Sequence, residues 1–108
     1  MTERRTRRSR VRVDALAMFL ESQRTRLGAG ALAVTTREGE LLAGVGPSPE
    51  RLARQAIEIH EARDGAGPMV ANVATWWLRA GGVEVVLASR GGRMSHELGS
   101  GVRRILSS

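Results

Sequence analysis

The sequence predicts an α/β (α+β) domain in the order helix, two strands, helix, two strands, helix. Three observations carry this prediction. Apolar residues recur at helical spacing in three segments, short runs alternate at period two in four others, and glycine-containing turns join each pair of runs. With 108 residues the chain has room for one domain and a thin core.

The first helix is expected over about 14–27, with Asp14 as its N-cap and Gly28 as its stop. Leu16, Phe19, Leu20 and Leu27 form its apolar stripe, and Gln23 shares that face. Two strands follow, Ala31 to Thr36 and Leu41 to Val45, around the turn Arg37-Glu38-Gly39-Glu40. In the first strand Leu32 and Val34 face one way, while Ala31, Ala33 and Thr35 face the other. The small residues on that second face let a helix lie close to the sheet.

Gly46-Pro47-Ser48-Pro49-Glu50 punctuates the chain. Ser48 is suited to cap a new helix, Pro49 to open it, and Glu50 to offset the positive end of its dipole. This second helix is expected from Pro49 to about Arg63, with a broad apolar side made by Leu52, Ala53, Ala56, Ile57, Ile59 and His60. A helix apolar over that width touches one surface inside its domain and another outside it. Gly65-Ala66-Gly67-Pro68 ends it.

The second pair of strands is expected over about Val70 to Arg79 and Val83 to Ser89, joined at Ala80-Gly81-Gly82. Alternation sets Ala74, Trp76 and Leu78 on one face and Val73, Thr75 and Trp77 on the other. The adjacent tryptophans therefore point to opposite sides, and both faces of the strand require cover. Gly91-Gly92 closes the hairpin, Ser95 is placed to cap, and Leu98, Val102, Ile105 and Leu106 form the stripe of the last helix.

The formal charge of +6 is unevenly placed. Residues 1–12 carry Arg4, Arg5, Arg7, Arg8, Arg10 and Arg12 against Glu3, a net +5, and residues 13–108 carry the remaining +1. With no apolar residue between Met1 and Val11, this segment reads as a disordered, arginine-rich arm that keeps the chain soluble. Its functional alternative is a nucleic-acid or anionic-surface binding module, in which the arginines release counterions from phosphates or meet acidic lipid. The arm has no aromatic platform for stacking single strands.

Chemical equipment is scarce. There is no cysteine, lysine or tyrosine, which removes disulfides, thiolate nucleophiles and cysteine-held zinc. His60 and His96 each lack a second histidine at ligand spacing. His60 lies four residues before Asp64 and reads as a helix-face histidine. Ser95 and His96 are sequence neighbours, which diverge on a helix and make no nucleophile–base pair. The segment from Gly28 to Ala33 matches the spacing of a dinucleotide fingerprint, but its glycines follow a helix and open a strand, the reverse of the working geometry. No catalytic residue, cofactor or metal is expected. Neither a long apolar run nor a secretory leader is apparent, so the expected compartment is the cytoplasm.

The body of the chain, about 13–106, resembles the Roadblock/dynein light chain family, of the bacterial type. The segment from Gly30 to Ala43 is similar to that family's first hairpin with its acid-glycine turn, and Val83 to Ala88 with Leu98, Val102 and Ile105 is similar to its final strand and helix. The family has three strands between its second and third helices, where this sequence offers two. The resemblance implies a central antiparallel sheet of four to five strands, the first and third helices on one face and the second on the other. It further implies a homodimer formed through the second helix and the following strand, here Leu52, Ala56, Ile59, Val73, Thr75 and Trp77. Such a dimer is a non-enzymatic scaffold for a Ras-like small GTPase or a larger assembly. A small-ligand sensor built on a similar sheet is the remaining alternative.

Overall fold

A computed structural model describes residues 2–61, 72–91 and 94–107. Its elements are α1 (Thr2–Leu27), β1 (Ala31–Thr36), β2 (Leu41–Val45), α2 (Pro49–Glu61), β3 (Val73–Ala80), β4 (Val83–Arg90) and α3 (His96–Ser107). The predicted order holds throughout. The expected end of the second helix at Arg63, its Gly65–Pro68 break, the His60–Asp64 contact and the start of the third strand at Val70 lie outside the described residues.

All four strands join one antiparallel sheet in the order β2-β1-β4-β3. Alternation divides its side chains between two separate apolar clusters. On one face Leu32, Val34, Ala43, Leu78, Val85 and Leu87 meet Leu16 and Leu20 of α1 and Leu98 and Val102 of α3. On the other, Ala31, Ala33, Val86 and Ala88 meet Leu52, Ala53 and Ala56 of α2. The first and third helices therefore share one face and the second helix covers the other. Gln23, placed on the apolar stripe of α1, is buried.

The two faces are packed by different means. On the α2 side the strand residues are small, so the helix sits close to the sheet, and at Gly44 a Cβ would come within 2.3 Å of the Pro49 ring. On the other side, α3 carries glycines where it touches large rings. A Cβ on Gly101 would meet the Phe19 ring at 2.0 Å, and Gly99 faces Trp76. An exposed ion pair between Arg26 and Glu97 also joins α1 to α3 at 2.5 Å.

The β1–β2 register slips by one residue, because Val34 pairs with Ala43 while Thr35 pairs with Leu41. Leu42 is the extra residue of this bulge. It allows two consecutive leucines to serve opposite clusters, Leu41 packing with α2 and Leu42 with α1 and α3.

Two local expectations need correction. The first helix does not begin at Asp14: α1 starts at Thr2 and takes in the arginine-rich segment. Arginine is a good helix former and no glycine or proline interrupts residues 2–27, so nothing local stops the helix at Asp14, which is exposed within it.

The second concerns Ser48. It takes a left-handed φ of 49° and starts α2 through its carbonyl, which accepts the Leu52 N–H at 3.2 Å. Among the described residues its hydroxyl caps no amide. We therefore expect Ser48→Gly to stabilise the fold by about 0.5 kcal/mol, by relieving the left-handed strain. A loss of about 1 kcal/mol on thermal melting would instead restore the capping role.

Strand number falls within the four to five expected. The described residues contain four strands, two of them between α2 and α3. Ser95 caps as predicted, its hydroxyl accepting the Leu98 N–H at 3.1 Å.

Candidate functional site

Among the described residues the strand order leaves β3 and β2 as the two edges of the sheet. An edge strand presents unpaired backbone groups, and proteins blunt it with charge, proline, bulges or short length. The β2 edge is five residues long and carries the bulge. The β3 edge is eight residues long, pairs with β4 without a break in register, and has Arg79 as its one charged residue.

On the α2 side of β3 stand Val73, Thr75 and Trp77, all half-buried. Val73 and Trp77 pack at the margin of the α2 cluster, along with Ile57. The Arg37 guanidinium, from the β1–β2 turn, lies 5.6 Å from the Trp77 ring centre. Arg37 also reaches Glu84 at 3.2 Å. An exposed cation–π contact of this kind contributes about 0.5–1 kcal/mol. No sequence signal marks Arg37, since Trp77 is forty positions away and the register of three strands brings them together.

Of the six positions that the resemblance assigns to a dimer interface, the structure divides the set. Leu52 and Ala56 are fully buried against the chain's own sheet, so they are corrected to core residues. The cause is the close approach of α2 to Ala31, Ala33 and Ala88, which leaves the central stripe of the helix no outward component. Ile59, Val73, Thr75 and Trp77 remain partly accessible. Sequence reasoning gave the width of the apolar side of α2 but not which part the sheet would consume.

The opposite side of β3 is different. Trp76 meets His96 edge to face, with ring centres 5.4 Å apart and planes at 77°. Together with Leu78, Gly99, Ser100 and Arg103 they line a notch of about 90 Å³. That is room for about three waters, well below the roughly 300–1,000 Å³ of small-molecule pockets. The small-ligand alternative gains no cavity here.

The other candidate chemical groups have local structural roles. Gly28 ends α1 with a φ of 66°, and the Gly30 N–H donates to the Arg90 carbonyl at 2.8 Å, so the fingerprint-like glycines serve a helix end and a strand start. The Ser95 hydroxyl is engaged as a cap. Hydrogen bonding to Arg24 holds the Glu21 carboxyl below its ordinary pKa, but both groups are exposed on one helix face. Among the described residues no three His, Asp or Glu side chains gather at metal-binding distance, and no helix is long and apolar enough to cross a membrane. The arginines of the first segment, Arg4, Arg5, Arg7, Arg8, Arg10 and Arg12, all fall within α1, and Arg12 is exposed.

Comparison of the chain with protein-family models, with curated proteins and with solved structures finds no match.

Proposed function

We propose that two copies of this chain pair through α2 and β3, and that the paired surface is a non-enzymatic platform for a Ras-like small GTPase or a larger protein assembly. The reading rests on one observation: β3 is a long, regular edge strand with a half-buried tryptophan and almost no charge to repel a neighbour. Such an edge is a template for adding another strand. A partly covered indole on the same strand face as apolar Val73 is also the kind of side chain that dominates an interface once water is excluded. Ile59 is a further partly accessible apolar residue on α2. The resemblance to Roadblock domains, in which the same two elements pair, supplies the kind of partner.

Light scattering on the full chain and on Trp77→Glu tests the pairing. The wild type is expected to be a dimer at tens of micromolar and the variant a monomer, with Ile59→Glu weakening the dimer as a second perturbation away from the strand. Circular dichroism on both variants separates lost pairing from lost folding. A wild type that scatters as a single chain overturns the proposal.

A further inference from the structure

The arginine-rich half of α1 has no role in the paired platform. Leu16 of this helix is buried in the core, and residues 12–15 before it are exposed. Thr2 to Ala15 therefore span about 21 Å of helix, at 1.5 Å per residue, on the N-terminal side of Leu16.

Its composition opposes its own conformation. Arg4, Arg8 and Arg12 repeat at intervals of four, and Arg4, Arg7 and Arg10 at intervals of three, spacings at which like charges on a helix repel. The same charges crowd the positive end of the helix dipole, where anions are favoured and cations are not. Glu3 is the one acid among residues 2–12. A dense row of negative charge would relieve both conflicts at once.

We propose that residues 2–12 are a helix that docks in the major groove of duplex DNA. Two features choose the duplex over other polyanions. The segment has no aromatic residue on which the bases of a single strand could stack. It also has no Leu, Phe or Trp between Thr2 and Arg12, so it lacks the apolar face by which an interfacial helix enters a bilayer. A helix about 10–12 Å across matches a groove about 12 Å wide, whose two phosphate walls accommodate arginines on several sides of the helix. The contacts are to the backbone, so recognition is of duplex shape and charge and not of sequence.

Fluorescence anisotropy of the full chain with a labelled 20-base-pair DNA duplex tests this. For about five neutralised phosphates the affinity should fall roughly 500-fold between 50 and 200 mM salt. Deleting residues 2–12 should abolish binding without changing the melting of the body. Ser9→Pro keeps every charge but breaks the helix, and should weaken binding at least tenfold, while helical circular dichroism of the intact chain rises on adding duplex. Equal binding by Ser9→Pro would show an unstructured polycation and overturn the helical docking. Failure to bind duplex, including the case where vesicles containing phosphatidylserine bind instead, overturns the proposal. Dimerisation is read separately by light scattering, so neither result decides the other.

Discussion

Gly46→Ala is expected to cost about 3 kcal/mol, the sum of a left-handed backbone penalty and an overpacked contact. Gly46 has a φ of 86°, and a Cβ there would lie 2.4 Å from the Gly30 carbonyl oxygen and 2.9 Å from the Ala31 Cα. These are backbone atoms at the start of β1, and the Gly30 amide is itself bonded to Arg90. They cannot yield without pulling the centre of the sheet. A shift of about 4–8 °C per kcal/mol for a domain near this size predicts a melting temperature more than 10 °C lower. Urea denaturation should show a lower midpoint at an unchanged slope. A change below about 1 kcal/mol would mean that the β2–α2 connection does not press on β1 as described.

The second large effect is a contrast within α3. Glycine in a helix interior costs about 1 kcal/mol relative to alanine, so an added methyl should stabilise unless something occupies its space. At Gly99 the nearest atom is 3.6 Å away on the Trp76 ring, an ordinary contact, and Gly99→Ala should gain close to the full 1 kcal/mol. At Gly101 the Phe19 ring already fills the site. Gly101→Ala should therefore destabilise by about 2 kcal/mol in spite of the helix gain, because the ring must leave its seat between α1 and α3. Adding Phe19→Leu should recover part of the loss, a coupling that a double-mutant cycle on thermal melting measures. Additive effects would show that Phe19 and Gly101 do not touch.

The element order was legible in the sequence because its signals are local. Alternation assigned Trp76 and Trp77 to opposite faces, and the small residues of β1 marked a face on which a helix can lie close to the sheet. What escaped sequence reasoning depends on contacts between distant segments. The seat of Phe19 on Gly101 and the stacking of Arg37 on Trp77 arise from register and helix placement, neither of which spacing records. The resemblance assigned Leu52 and Ala56 to a partner, and their apolar face shows only that they are covered, not by what. The beginning of α1 was misplaced for a different reason. Asp14 has cap chemistry, but a cap acts only where the helix lacks an earlier turn, and the arginine segment supplies three.

For the candidate interface, the sheet has a built-in control in its second edge. Amide exchange on the full chain, followed over a range of concentration through the micromolar region, reads both edges together. Protection of the outward amides of β3 is expected to rise with concentration as copies pair, while those of the bulged β2 edge stay unchanged. Exchange from β3 that is equally fast at every concentration would contradict the pairing.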